Sequence, residues 1–137
     1  MQKYFTMEKK NPIEEAKRYL QNAKDILKEK AIKEDNNYKD SKYVRMAGDT
    51  AWKGCLIALD VVFKVKETMP KGKRVSIDDY KDKVSKRDKK LHKDVMEAYN
   101  ILHLFMGYDG TKSYPTCKDG IDRAEKIIKW CEDNSSK

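Results

Sequence analysis

The chain is poor in the residues that interrupt regular structure, with only 3 Pro and 6 Gly among 137 residues. Hydrophobic and charged residues each make up 39% of it. That balance favours amphipathic helices with solvated outer faces over a sheet of short strands. The length suits one packed core rather than two. We therefore expect an all-α protein forming a single domain over residues 1–137, with an ordered core at about 12–133.

Long apolar runs are also missing. The first ten residues lack the apolar stretch of a secretory signal. The most apolar segment, residues 55–63, is interrupted by Asp60 and is far too short to span a bilayer. We therefore expect a cytoplasmic protein with no membrane partner.

Cysteine is scarce, and its spacing indicates neither a metal site nor a disulfide. Cys55, Cys117 and Cys131 are odd in number and lack CxxC spacing, so neither a disulfide framework nor a zinc knuckle is indicated. Cys117 and Cys131 lie about 21 Å apart along one predicted helix, too far to bond within a chain. We expect packed, reduced thiols. Phosphate-binding glycine loops and helical histidine pairs for a metal are missing too, so no metal or cofactor is expected.

Positive charge is present in excess and is concentrated in one segment. The net charge is +8, and residues 64–93 hold twelve Lys or Arg against five Asp or Glu. A cluster of this kind attracts phosphate backbones and other polyanions through counterion release. A lysine-rich solubilising surface explains the same composition. The cations that we take as binding candidates are Lys73, Arg74, Lys86, Lys89 and Lys90.

Two amphipathic helices are signalled in the first half of the chain. Asn11 and Pro12 are good starting residues for the first helix, and a polar connector at 33–40 separates it from the second, at about 41–68. The first helix carries one apolar stripe, composed of Ile13, Ala16, Leu20, Ala23, Leu27 and Ala31. The second carries a small stripe (Ala47, Ala51, Gly54, Ala58) and a large one (Trp52, Leu56, Leu59, Phe63). A helix that is apolar on two sides lies at the centre, and its small stripe allows the first helix to approach closely.

The outer face of the second helix is charged. Arg45 and Asp49 are one turn apart and predict a surface ion pair, and Asp60 is expected to face water. A turn-rich loop at 107–115 leads to the last helix, which we expect Thr116 to cap. The pattern predicts four principal helices, or five if the third is divided, in an antiparallel up-and-down bundle.

The third helix contains an irregularity at Arg87. Its apolar stripe runs Ile77, Tyr80, Val84, Leu91, Val95, Ala98, Leu102, Phe105, and the position missing from that series is 87. Either the helix is continuous with an arginine at its packed seam, or it breaks near Ser85 and restarts there. Both alternatives give Arg87 a different environment from that of the neighbouring lysines.

Both histidines lie on one face of this helix, in a line formed by Asp88, His92, Tyr99 and His103. An imidazole that titrates near neutrality and is held by a carboxylate one turn earlier, here Asp88, is a plausible general base, and Arg87 could stabilise a phosphoryl transition state. In an ideal helix, however, positions 87 and 92 differ by about 140° in azimuth. They converge only if the helix begins between them or a second subunit completes the site. We expect His103, which lies between two leucines, to be buried or half-buried and hydrogen-bonded.

A family resemblance rests on the segments DSKYVRMAGDTAWKGCLIALDVVF and AYNILHLFMGYDG with the closing helix. The chain resembles a family of small bacterial proteins classed as a domain of unknown function, over most of residues 12–130. More distantly, the first two helices are similar to the HEPN superfamily of helical bundles. That resemblance implies a HEPN-like bundle, frequent dimerisation and, in active members, metal-independent ribonuclease activity. Arg87, Asp88 and His92 match the Arg, polar residue and His spacing of those active members.

Two functions therefore follow from the sequence. The first is a non-catalytic binding or dimerisation module that binds a protein partner, RNA or another polyanion through residues 64–93, with Arg45, Tyr99 and His103 as further candidate binding residues. The second is a metal-independent HEPN-like ribonuclease with His92 as the base and Arg87 as the phosphate stabiliser.

Overall fold

The computed structural model describes residues 11–135, and most of them are helical. Within this range the elements are α1 (Pro12–Ile26), β1 (Lys33–Glu34), β2 (Asn37–Tyr38), α2 (Ser41–Phe63), α3 (Val65–Thr68), α4 (Ile77–Arg87), α5 (Lys89–Ala98) and α6 (Tyr114–Asn134). Two helices continue into wider π-helical winding, α1 through Leu27–Ala31 and α5 through Tyr99–Tyr108. The prediction of a largely helical fold is confirmed. The first ten residues, for which the sequence predicts no secretory signal, lie outside the described residues.

The start and the buried face of α1 agree with the sequence pattern. The side chain of Asn11 accepts a hydrogen bond from the backbone N–H of Ile13 at 2.8 Å, which caps the helix. All six members of the predicted apolar stripe are buried. The helix ends where Ile32 takes a φ of 57°, a left-handed conformation that β-branched residues rarely adopt.

The polar connector predicted at 33–40 contains a hairpin that the sequence did not signal. Its ends form a two-stranded antiparallel hairpin in which Glu34 pairs with Asn37. The hairpin is fixed to the start of α6, because the Tyr38 N–H donates to the Lys112 carbonyl at 2.8 Å and the Tyr114 N–H donates to the Asn36 carbonyl at 2.9 Å. Only a long-range partner makes these two short strands stable, and such a partner leaves no local signal.

Helix α2 is the central element, and its small residues allow close contact on two sides. A Cβ added to Gly54 would lie 3.0 Å from the Ala16 carbonyl oxygen, which confirms the predicted approach of α1. A Cβ added to Gly48 would lie 2.5 Å from the Leu102 carbonyl oxygen and 2.6 Å from the Met106 Cβ. Neighbouring backbones therefore approach α2 more closely than any larger side chain would permit.

Two predictions about the end of α2 need correction. The helix ends at Phe63 rather than at residue 68, because Lys64 takes a left-handed φ of 51° and the short α3 follows. Asp60 does not simply face water. It is half-buried and accepts a hydrogen bond at 2.9 Å from the Tyr80 hydroxyl of α4. This contact joins α4 to the central helix.

The contacts of α5 and α6 show that these helices run antiparallel. Asp94 of α5 binds Arg123 of α6, whereas Ile101, further along α5, packs on the earlier Gly120. The π winding after Ala98 moves Phe105 out of the predicted apolar stripe. It is 46% exposed, and Met106 is buried in its place. A wider turn places residue 106 rather than 105 beneath Leu102, so a pattern counted at 3.6 residues per turn fails here.

The pairs on α1 and α6 show that they are antiparallel too. Lys17 pairs with Glu132 at 2.5 Å, and Lys24 pairs with Glu125 at 2.7 Å. The predicted cap of α6 is shifted, because Ser113 rather than Thr116 occupies the N-cap position, and its hydroxyl accepts from the Thr116 N–H at 3.3 Å. No helix within residues 11–135 has both the length and the apolarity needed to cross a bilayer.

We expect Gly48→Ala to lower the free energy of unfolding by about 1–3 kcal/mol, the usual cost of overpacking a close contact. The added methyl group would meet backbone and Cβ atoms rather than the end of a flexible side chain. Urea denaturation measures the change. Lys53→Ala, at an exposed position of the same helix, serves as the control and should change stability by no more than about 0.5 kcal/mol. A Gly48→Ala variant as stable as the parent would contradict the close packing.

We also expect the thiols to be unreactive in the native protein. Cys55, Cys117 and Cys131 are free and fully buried. Burial raises the pKa of Cys117 and of Cys131 to about 12 and raises that of Cys55 as well. Because the thiolate is the reactive form, a disulfide reagent at pH 8 should label none of them rapidly until denaturant is added, when all three should react. Rapid native labelling would contradict this burial.

Candidate functional site

The helix boundary near Arg87 lies at Asp88, three residues after the predicted break at Ser85. Asp88 has extended backbone angles, φ −158° and ψ 116°, and its carboxylate accepts from the Leu91 N–H at 2.8 Å, which caps α5. Ser85 caps nothing, since its hydroxyl donates back to the Asp82 carbonyl at 3.0 Å. The break that the sequence allowed is therefore present, and the alternative of a continuous helix with an inward arginine is wrong, because Arg87 is exposed at the end of α4.

Trp130 of α6 holds this boundary in place. Its indole N–H donates to the Asp88 carboxylate at 3.3 Å, and its ring stacks on Phe63 with centroids 5.8 Å apart. The Arg87 guanidinium carbon lies 5.2 Å from the Trp130 ring centroid, and its Nη2 donates to Asn134 Oδ1 at 3.4 Å. The pKa of Asp88 is lowered chiefly by the Leu91 N–H, with the Trp130 N–H and the nearby Arg87 charge contributing. The cap is therefore ionised at neutral pH.

His92 lies just inside α5 and is half-buried. Its Nε2 atom is buried and has no hydrogen-bond partner among the described residues. The Asp88 carboxylate binds Leu91 and Trp130, so the predicted carboxylate support of His92 does not form. Arg87 and His92 are thus on either side of a helix start, but Arg87 is bound to α6 and the His92 Nε2 is enclosed.

A second group of predicted residues does come together. Arg74, Tyr99 and His103 line one cleft of about 440 Å³, which we call the aromatic cleft. The Tyr99 ring stacks on His103 with centroids 5.3 Å apart and meets Trp52 edge-on at 5.6 Å. The remaining lining residues are Leu56, Val75, Ser76, Ile77 and Tyr80. The cleft therefore joins the start of the basic segment to the π-helical part of α5.

His103 is more exposed than the sequence suggests. Its side chain is 47% exposed, and its Nδ1 lies 3.9 Å from Asp49 Oδ1. The π winding turns residue 103 away from the core, which corrects the expectation of a buried or half-buried histidine. Asp49 does not form the predicted ion pair with Arg45 within the described part of the chain. Arg45 Nη2 instead donates to the Asp109 carbonyl at 3.4 Å.

The basic segment, residues 64–93, is mostly exposed. Lys83 is an exception. It is half-buried, and its Nζ donates to the Phe63 carbonyl at 3.3 Å and to Thr68 Oγ1 at 2.7 Å, so it braces α4 against α2 and α3. Lys66 and Lys86 lie near Asp60 and Asp82, at 3.9 and 3.5 Å. Residues 11–135 contain no group of three or more His, Cys, Asp or Glu side chains arranged to bind a metal.

Sequence reasoning missed an ion cluster between α5 and α6. Arg123 contacts Asp94 at 2.7 Å, Glu97 at 2.5 Å and Asp119 at 3.4 Å, and Asp94 is only 6% exposed. The available signal was an acid at position 94, beside the core residue Val95. Removing one partner of such a pair leaves a buried charge uncompensated, so this cluster fixes the alignment of the two helices.

Comparison with known proteins relates the chain to one family and to a solved structure, both of unknown function. Residues 11–133 match the sequence profile of a family described as a domain of unknown function (DUF5618). A solved structure of a protein of unknown function from Dyadobacter fermentans is 46% identical, with a TM-score of 0.80, covering 89% of this chain and 93% of that one. No curated protein matches the chain.

Replacing Asp88 tests the helix boundary. We expect Asp88→Ala to lower the free energy of unfolding by about 1 kcal/mol, the typical value of an N-cap. Since the folded pKa is lowered, this stabilisation should be fully present above the unfolded value of about 3.9 and should be lost as the pH falls through the folded pKa. Denaturation at pH 7 and pH 3 measures both effects. Glu67→Ala, at an exposed position of α3, is the control, and equal losses for the two variants would contradict the capping role.

Proposed function

The chain belongs to the DUF5618 family of domains of unknown function, and on that premise we propose that it is a non-catalytic binding module whose basic segment holds single-stranded nucleic acid, for example RNA. The aromatic cleft receives a base beside that segment. The binding residues are Lys73, Arg74, Lys86, Lys89, Lys90, Tyr99 and His103. Arg45 is left out because it binds the loop carbonyl of Asp109.

The observation that carries this proposal is the unneutralised charge of the basic segment. The following cations are exposed and have no ion pair with any carboxylate of residues 11–135: Lys64, Lys71, Lys73, Arg74, Lys81, Lys89, Lys90 and Lys93. Elsewhere the cations are often paired, as Lys17, Lys24 and Arg123 are. Exposed cations that are not ion-paired retain counterions that a polyanion can displace, which is the source of nucleic-acid affinity.

The aromatic cleft supports a single-stranded ligand in particular. Single strands are held by cations along the backbone and by aromatic rings on which bases stack. His103 is exposed and already stacked on Tyr99, so a base placed on its free face would extend the stack. Arg74 lines the same cleft and could bind the adjoining phosphate. A double helix would present no unstacked base to these rings.

The proposal includes the overall architecture. We propose that α1, α2, α5 and α6 form an up-and-down four-helix bundle of HEPN-like type within one domain. The opposed order of contacts in the pairs α1–α6 and α5–α6 supports it. The homodimer implied by the HEPN resemblance stays a prediction. The exposed side chains of Phe105 and Tyr108, at 46% and 80%, offer it an apolar contact.

One observation favours the ribonuclease alternative. Helix α5 does begin between Arg87 and His92, which is the geometry that the paired use of these residues requires. The surroundings of both residues favour binding without catalysis. A general base needs an accessible nitrogen, whereas the His92 Nε2 is buried, and Arg87 is bound to Trp130 and Asn134.

Fluorescence anisotropy with a labelled single-stranded RNA, measured from 50 to 200 mM salt, tests the proposal. We expect binding that weakens steeply with salt, and Lys73→Ala with Arg74→Ala should reduce the logarithmic salt slope by about 1.4, because two phosphate contacts to a single strand are lost. His103→Ala should weaken binding by about 1–3 kcal/mol, the value of one base stack. The control, Lys30→Ala with Lys53→Ala, removes the same charge from exposed positions outside the segment and should leave the slope unchanged.

The same samples distinguish binding from cleavage. In the presence of a chelator we expect the RNA to stay intact for the parent and for His92→Ala alike. Cleavage that is abolished by both His92→Ala and Arg87→Ala would establish the ribonuclease instead. An absence of RNA binding at 50 mM salt, or an equal loss in the Lys30 and Lys53 control, would overturn the proposal.

A further inference from the structure

A groove lies between the end of α1, the hairpin and the start of α6, away from the basic segment. Its volume is about 550 Å³, within the range of small-molecule sites. We call it the hairpin groove. It is lined by Lys24, Leu27, Lys28, Ile32, Lys33, Tyr38, Tyr114, Lys118, Ile121, Asp122 and Glu125. The wall thus combines aliphatic and aromatic side chains with four lysines and two acids.

The lysines of the groove fall into two classes. Lys24 pairs with Glu125 at 2.7 Å, and Lys118 pairs with Asp122 at 3.0 Å. Lys28 and Lys33 have no carboxylate within ion-pair distance in the part of the chain that the structure describes. The groove therefore keeps two uncompensated positive charges, which suits an organic anion of low charge better than a polyphosphate.

Tyr38 supplies a polar group that the protein leaves unused. It is only 7% exposed and lines the groove, yet its hydroxyl has no hydrogen-bond partner among residues 11–135. Burial raises the pKa of Tyr38 to about 12, so the hydroxyl keeps its proton at neutral pH and can donate. Since no acceptor among residues 11–135 takes this proton, the hydroxyl is available to an anion bound in the groove.

Ile32 is held in an unfavourable conformation at the edge of the groove. Its φ of 57° and ψ of 113° are unusual for a β-branched residue, and its side chain is 48% exposed. The conformation is enforced by its own N–H, which donates to the Leu27 carbonyl at 3.1 Å, and by the Lys39 N–H, which donates to the Ile32 carbonyl at 2.9 Å. The result is an exposed apolar side chain that lines the groove together with Leu27 and Ile121.

The aromatic surface of the groove is partly covered by a lysine. The Lys33 Nζ lies 4.0 Å from the Tyr114 ring centroid and covers one face of that ring. Tyr38 packs at a 50° tilt against Tyr114, with centroids 5.8 Å apart. A flat base would have to displace the Lys33 ammonium to stack on that face of Tyr114, whereas a flexible aliphatic chain can follow the surface of Leu27, Ile32 and Ile121.

We propose that the hairpin groove binds a small aliphatic carboxylate, a fatty acid of medium chain length, with its carboxylate between Lys28, Lys33 and the Tyr38 hydroxyl. The hydrocarbon chain lies on Leu27, Ile32 and Ile121. This site is independent of the proposed nucleic-acid surface, since none of its lining residues belongs to residues 64–93.

Two-dimensional NMR of the full chain, titrated with decanoate below its micelle concentration, tests the site. We expect saturable shifts confined to the amides of residues 24–38 and 114–125. Decanol, which lacks the charge, should bind at least tenfold more weakly, and decyltrimethylammonium should produce no shifts at these amides. Tyr38→Phe should weaken decanoate binding by about three- to tenfold, the worth of one hydrogen bond.

Charge variants complete the test. Lys28→Glu with Lys33→Glu should weaken decanoate binding at least tenfold, whereas Lys30→Glu with Lys53→Glu, the same charge change outside the groove, should leave it within twofold. Each variant is checked for the parent's circular dichroism spectrum. The proposal is overturned if decanoate gives no saturable shifts at these amides, if decanol binds as tightly as decanoate, or if both charge variants lose binding equally. RNA binding of Lys28→Glu with Lys33→Glu is measured in parallel, so failure at one surface is distinguishable from failure at the other.

Discussion

The close approach of backbones to α2 is the constraint on which the other features depend. Gly54 allows α1 to pack with the Ala16 carbonyl against the helix, and Gly48 does the same for Leu102 and Met106 on the other side. Because the α5 extension lies so near, Tyr99 meets the edge of Trp52 and His103 comes within 3.9 Å of Asp49. The aromatic cleft is therefore a by-product of helix packing rather than of a local motif.

The helices could be predicted from sequence because their signals are local. Three such signals lie within a few turns of sequence, and the structure confirms them: the apolar stripe of α1, the cap at Asn11 and the small stripe of α2. The sequence located the helix break to within a few residues but could not assign it to Asp88, since Ser85 is as good a cap by residue type. What selects Asp88 is the indole N–H of Trp130, 42 positions away. The hairpin escaped prediction because its hydrogen-bond partners are distant in sequence. The π winding escaped prediction because its number of residues per turn is unusual.

The candidate site also has parts that the sequence predicts and parts that it does not. The basic segment could be read from a count of charges, and its exposure follows from the cost of burying lysine. The grouping of Arg74, Tyr99 and His103 with Trp52 could not be read, because it joins three elements through the path of the chain. The proposed pairing of Arg87 with His92 shows the opposite case, since the sequence indicated it and the structure does not favour it. Its spacing was apparent in sequence, but the bonds of Arg87 to α6 and the burial of His92 were not.

Helix α4 is attached to the rest of the molecule in a different way from its neighbours. It buries only Tyr80 and Val84, and it is held by the Tyr80–Asp60 hydrogen bond, by the Lys83 brace and by the contacts of Arg87 with α6. Segments with few buried apolar contacts open at lower free energy than the rest of a domain. Local unfolding should therefore release α4 while the helices packed around Gly48 and Gly54 stay folded. An anion bound across residues 64–93 would then hold α4 in place and slow its amide exchange. Binding of the anion would be coupled to the local stability of α4, without any change in the core.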